Sequence, residues 1–324
     1  MSKNKKKGGV TLANIIAVVG LVLLMVFTYV GHSYKSGGET GMDVLVAVAI
    51  TAFAALLLWF LIKAKGAENQ ISLWKKVEIA TLAAYILFAI PASLFSGIMQ
   101  FFVVNSARDE AKQIAKSELN AVDSILIVYN DSLNNWIGKT RIGMENSLRP
   151  GQERDNSLSD YMRGLTQNGS DEFEETNKKQ YLINDSYNKN FYSEYNSERE
   201  RIEQIVDDWK IFKLPQISKA IDSHAQKLCD ALNKNIERAN FPYIVKDGST
   251  GKFKIVKKQN DNFRLQPKES SAFQERLSRP GFSVMAIVLV LVIHLLILFN
   301  YIVAYRTHTV GVGKYSSEDG ANRL

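Results

Sequence analysis

The hydrophobic pattern along this chain is uneven: four long apolar blocks interrupt a polar background. They fall at 10–30, 43–63, 77–104 and 282–304. Each is about twenty residues or more, enough for a helix to cross a hydrocarbon core about 30 Å thick. Within the third block only Glu78, near its start, and Gln100, near its end, break the apolar run, and His294 stands in the middle of the fourth. Four such blocks leave too little polar chain to bury them in a soluble core, so the pattern predicts four transmembrane helices. The first block follows Lys3, Lys5, Lys6 and Lys7, as a signal peptide would. A signal peptide has a shorter apolar run and a small-x-small cleavage site, whereas Tyr29-Val-Gly-His-Ser-Tyr34 follows here. It reads as an uncleaved anchor.

Residues 105–281 carry a different pattern. Ala115, Leu119, Val122, Leu126, Tyr129, Leu133 and Trp136 recur at alternating spacings of four and three, with Lys116, Asn120, Asp123 and Asp131 between them. That spacing is the seam of a helix packed lengthwise against others. Nothing between Gly97 and this seam breaks a helix, so one continuous helix is expected to run from the third span into it. Arg149-Pro150-Gly151 stops it, and 150–171, rich in Gly, Asn, Ser and Asp, reads as a loop. A helical pattern resumes from Asp171 to about Phe212. Another helix starts at Pro215, with Ile217, Ile221, Leu228, Leu232 and Ile236 on one side and His224 and Cys229 on or beside it. Over 241–257, two short β-prone runs flank Lys246-Asp-Gly-Ser-Thr-Gly251, a hairpin signal. A lone hairpin is marginal in water, so it must pack on the helices or extend a partner's sheet. The fold class is therefore a mainly α membrane protein, with four transmembrane helices and an external helical bundle carrying a small β-hairpin.

Charge orients the spans. Short cytoplasmic flanks accumulate Lys and Arg. The 1–9 tail has four lysines, the 63–76 linker has Lys63, Lys65, Lys75 and Lys76, and the 31–42 linker has only Lys35. This places both termini, including the tail 305–324, in the cytoplasm and 105–281 outside, in a bacterial periplasm. The net charge of +7 belongs to the membrane flanks. Twelve of 40 basic and six of 33 acidic residues lie outside 105–281, leaving 28 and 27 within it. A nearly neutral external domain argues against nucleic-acid binding.

Candidate chemistry is sparse. One cysteine, Cys229, makes no intrachain disulfide or thiol relay, and the four histidines lie far apart. No catalytic residue, metal ligand or cofactor site is expected. Gly311-Val-Gly-Lys314 fails as a phosphate loop, because His308 and Tyr315 occupy positions where that motif needs Gly and Ser or Thr. Asn130, Asn168 and Asn184 begin Asn-x-Ser sequons that chance explains. In the spans, small residues at four-residue spacing (Ala13/Ala17, Ala47/Thr51/Ala55 and Ala89/Ser93/Gly97) predict close helix packing. Pro91 is the candidate hinge of the third span. His294 is the candidate intramembrane polar site, with a packing role ahead of a proton or ion path. Asp43 and Glu78 sit at opposite membrane faces and make no relay. Among the aromatics outside the spans, Tyr187, Phe191, Tyr195, Tyr243 and Phe253 form a candidate partner surface, against the plainer reading of a half-buried helix face.

The layout, a triple span with a lysine-rich tip, an external helical domain and a closing span, resembles the TssN family of inner-membrane subunits in the type VI secretion apparatus of Bacteroidota. No residue motif carries the resemblance, so it transfers no functional residue. It implies a structural part of a trans-envelope complex without enzymatic activity. The function expected is a non-enzymatic inner-membrane scaffold that docks other envelope proteins through 105–281 and forms, as one option, a homo-oligomer. A periplasmic sensor is the alternative, and an ion-conducting protein the third.

Overall fold

The structure, a computed structural model, describes residues 12–65, 71–165, 169–239, 242–257, 264–267 and 271–303. It is mostly helical, with one small antiparallel sheet. Its contacts divide it into two units: residues through Ala111 together with those from Gln274 on, and Lys112–Phe273.

The first unit holds four helices long and apolar enough to cross a membrane: Leu12–Ser36 (α1), Thr40–Lys65 (α2), Leu73–Ser106 and Val284–Val303. α1 runs six residues past the expected end at Val30, because nothing in His32-Ser-Tyr-Lys-Ser36 breaks a helix. It stops at Gly37 and Gly38, with φ of 69° and 76°, a backbone region that glycine enters without strain and that commonly closes helices. The third helix is assembled from α3 (Ile71–Ala84), a π-turn at Tyr85–Ala89, α4 (Ile90–Ser93), a second π-turn at Leu94–Ile98, and α5 (Met99–Ser106). Pro91 lies between the two wide turns. A proline lacks the amide donor and its ring crowds the carbonyl one turn back, and on either side of it the backbone bonds Ile90 N–H to Tyr85 O and Met99 N–H to Leu94 O reach back five residues instead of four. The expected continuous helix is interrupted: Ala107 leaves the helical region (φ −108°, ψ 26°) before α6 (Arg108–Ser147) begins.

The second unit is organised around α6. Every member of the predicted seam is buried, from Ala115 to Trp136, and Ile137 and Met144 extend the stripe. Around it lie α7 (Asn156–Arg163), α8 (Gly169–Tyr181), α9 (Lys189–Asp207), α10 (Ile217–Ala239) and the strands β1 (Pro242–Lys246) and β2 (Phe253–Lys257). Two expectations fail here. The loop expected over 150–171 contains α7, nucleated by Asp155, whose carboxylate accepts the Leu158 N–H at 2.8 Å while Leu158 itself is buried. The single helical run expected from Asp171 to Phe212 is broken between α8 and α9. There Asn184 folds an Asx turn, its Oδ1 accepting from the Ser186 and Tyr187 amides at 3.0 Å.

The hairpin forms, with Tyr243 opposite Val256 and Ile244 opposite Ile255. It packs on helices of its own chain. A Cβ added to Gly143 of α6 would lie 2.8 Å from the Ile244 Cβ, and β2 takes one parallel bridge from Arg154.

Candidate functional site

The candidate site is a buried polar cluster inside the first unit, where the third helix meets α12 (Val284–Val303), which follows the short helix α11 (Ala272–Ser278) in the chain. His294 is 2% exposed and its ring is bonded at both nitrogens, Nδ1 to the Tyr85 hydroxyl at 2.8 Å and Nε2 to Ser93 Oγ at 2.7 Å. The π-turns explain how both partners reach it. In an unbroken α-helix, positions eight apart are rotated by about 80°; the wide turn between Tyr85 and Ser93 changes that phase so that both face His294.

Ser93 Oγ also lies 2.8 Å from the Ile90 carbonyl, so the cluster runs from Tyr85 through His294 and Ser93 to the backbone. Tyr85 also meets the ring edge-on, with centroids 5.3 Å apart. Each donor and acceptor on the imidazole is satisfied, which is what a polar group in an apolar surround requires.

Similar pairs join the other helices. His32 Nδ1 and Ser36 Oγ both lie 2.7 Å from Oδ1 of the buried Asp43, tying α1 to α2 across the glycine turn. The Tyr301 hydroxyl donates to Glu78 at 2.7 Å, Asn300 of α12 donates to Asn14 of α1, and Lys65 donates to the Tyr301 carbonyl. Lys35 donates to the Phe95 carbonyl, within the second π-turn, at 2.7 Å. Between these bonds the backbones come very close. A Cβ on Gly97 would stand 2.4 Å from the Thr28 carbonyl oxygen, and one on Gly20 2.8 Å from Ile297 Cγ1.

Of the residues singled out from sequence, His294, Ala89, Ser93 and Gly97 come together in this core, and Ala47 is buried in α2. Thr51, Ala55 and Pro91 are half-buried. His32 with Asp43 was missed. Its signal was a histidine and an aspartate on either side of Gly37-Gly38.

In the second unit the candidate partner aromatics do not form one surface. Tyr187 is exposed, Phe191, Tyr243 and Phe253 are half-buried, and Tyr195 is buried. Tyr195 is a correction to the expected surface. Its hydroxyl donates to Asp123 Oδ1 at 2.5 Å, and its ring stacks on His224 with centroids 4.5 Å apart. Arg199 Nε holds the other Asp123 oxygen at 2.8 Å. Burial, with the Asp123 carboxylate beside it, pushes the Tyr195 hydroxyl pKa up. Burial pulls the His224 pKa down and raises that of the Cys229 thiol, so the histidine rests neutral and the cysteine protonated. Tyr129, which donates to the Tyr181 carbonyl, is pushed up to about 12 by burial.

The sequon at Asn130 is occupied structurally. Its amide donates to the Ile183 carbonyl at 3.0 Å and its Oδ1 accepts the Ile183 N–H at 3.1 Å. Asn168 and the 311–314 segment lie outside the described residues, as do the 1–9 and 305–324 tails. Among the described residues no group of three or more His, Cys, Asp or Glu side chains could hold a metal ion. Compared with known proteins, the chain matches no family model, no curated protein and no solved structure.

Proposed function

We propose that this protein is a non-enzymatic scaffold of the bacterial inner membrane, crossing it four times, with both termini in the cytoplasm and 105–281 in the periplasm docking other envelope proteins. The observation that carries the reading is the use made of His294, the polar group in the middle of the fourth apolar helix. His294 is engaged on both nitrogens by hydroxyls of a neighbouring helix, in a chain that ends on a carbonyl. An ion path needs a polar group that exchanges partners; this one is built to hold two helices in register. The glycine contacts at Gly31, Gly97 and Gly20 favour the same role, a tightly packed anchor. The near balance of charge across 105–281 and the layout resembling TssN subunits point to protein partners in a secretion-type complex.

Isolation of the full-length protein from its native cells in mild detergent tests this. The expected result is a complex of fixed stoichiometry with other envelope proteins, which survives salt and dissociates when 112–273 is deleted. A lone protomer that supports its cellular role would contradict it.

A further inference from the structure

Within the second unit, α6 and α9 leave an open groove of ≈ 360 Å³ between them. Asp123, Leu126 and Ile127 line one side at helical i, i+3, i+4 spacing; Tyr192, Tyr195, Arg199 and Glu200 line the other. Its floor is tied together by hydrogen bonds. Asp123 is held by Tyr195 and Arg199, and Arg199 also reaches Glu203 at 2.7 Å. Its walls are not. Ile127 is 59% exposed, an aliphatic side chain with nothing over it. Glu200 is exposed and makes no ion pair among the described residues, so with Arg199 already engaged the groove's uncompensated charge is negative. Sites for whole ligands span about 300–1,000 Å³, so this volume, at the small end, suits side chains more than a cofactor.

We propose that this groove docks a segment of a partner protein that presents a lysine or arginine beside an aliphatic side chain. The aliphatic group covers Ile127, and the cation sits against Glu200 beside Tyr192. Neither half suffices, since an exposed ion pair binds weakly and an aliphatic patch alone selects no partner. The inference rests on the scaffold reading and names the kind of surface that its partner carries.

The test places a photo-crosslinking p-benzoylphenylalanine at Ile127 of the full-length protein in its native cells, with the same probe at Ile142 and Phe212 in parallel. Ile142 lies 15 residues further along α6, about 22 Å away, and both comparison positions are exposed. The captured segment is then mapped by mass spectrometry. The expected result is a crosslink from 127 to one partner protein, at a segment with a basic residue next to an aliphatic one. Glu200→Lys lowers its yield about tenfold, Glu200→Gln lowers it less, and crosslinks from 142 or 212 do not change. Several outcomes overturn the groove but leave the scaffold standing. These are crosslinks from 142 or 212 with none from 127, an acidic captured segment, a lipid adduct, a second copy of this chain, or a yield indifferent to Glu200→Lys. No crosslink from any of the three positions overturns both.

Discussion

α2 and α10 are helices of similar length with one packed side each, and they are built on opposite plans. α10 buries Ile217, Ile221, Leu228, Leu232 and Ile236 and turns Lys219, Gln226, Lys227, Asp230 and Lys234 outward. α2 buries Asp43, Ala47 and Ala54 along with Leu57, Leu58 and Leu61, and turns Leu45, Val48, Leu56 and Trp59 outward. In α10 the force is removal of apolar area from water, worth about 1.5–3 kcal/mol for each large side chain covered. In α2 that force has no purchase if the outer face meets lipid, and association then depends on close backbone approach and polar contacts. A buried aspartate and exposed leucines are errors in the first solvent and ordinary in the second. The membrane reading accounts for both helices with one set of rules.

The sharpest way to break this comparison is to exchange the substitutions. Leu228→Ala should destabilise the protein by about 2–5 kcal/mol, since it removes a buried side chain from a packed core. Leu56→Ala, on the outward face of α2, should cost less than about 0.5 kcal/mol. Leu56→Lys should oppose membrane insertion by roughly 2.5–3.5 kcal/mol, while Lys227→Leu leaves folding unchanged. Denaturant midpoints in detergent and glycosylation-reporter insertion assays read these two effects. Equal costs for Leu228→Ala and Leu56→Ala would remove the distinction between the units.

Glycine sharpens it further. Gly97→Val drives a side chain into the Thr28 backbone and should cost at least about 1–3 kcal/mol, seen as a lowered Tm in detergent. Gly138 of α6 has nothing within 4 Å of an added Cβ, so Gly138→Ala should raise Tm, by roughly 0.4–1 kcal/mol of stability. Smaller still is Tyr85→Phe, which takes the hydroxyl partner from His294 Nδ1. An interhelical hydrogen bond of this kind contributes roughly 0.6 kcal/mol and at most about 2. The paired variant Ser93→Ala should add to it less than independently, because both act on one ring.

The smallest effect belongs to the second unit and to pH. Burial lowers the pKa of His224 in the folded state, while the unfolded chain has the ordinary value of about 6.5. The unfolded state therefore binds the proton first as pH falls. Stability from this group is complete above about pH 6.5 and declines below it, toward the folded pKa. The groups that set the balance are Glu198, Asp123, Lys227 and Arg199. His224→Phe keeps the stack on Tyr195 and should flatten the dependence of the unfolding midpoint between pH 6.5 and 5. Carboxylates held below their usual range, such as Glu174 beside Lys178 and Arg141, act only at lower pH.

The long apolar runs and the α6 seam were legible because each repeats one signal over twenty residues or more. Such signals outvote local exceptions. What was illegible depended on one or two residues or on distant partners. α7 turns on the Asp155 cap, and the break after α8 on the Asn184 side chain. Tyr195 looked like surface because its neighbours Asn196 and Ser197 are polar, yet Asp123 and His224, distant in sequence, bury it. His294 stood out in sequence, but its partners could not be named: Tyr85 and Ser93 reach it only because π-turns flank Pro91, and a proline in a sequence announces a disturbance without its form. The His32–Asp43 pair was hidden by splitting α1 from its last six residues.

Every part of the account presumes that the two units lie in different solvents, and one measurement addresses that. Cys229 is replaced by Ala, and single cysteines are placed at Glu39, Asn69, Glu175 and Ser317 of the full-length protein. Intact spheroplasts are then treated with a thiol reagent that cannot cross the membrane. The account predicts modification at positions 39 and 175 at once, and at 69 and 317 only after the membrane is opened. Modification of 69 or 317 in intact spheroplasts, or protection of 175, would contradict the orientation and with it the periplasmic docking role.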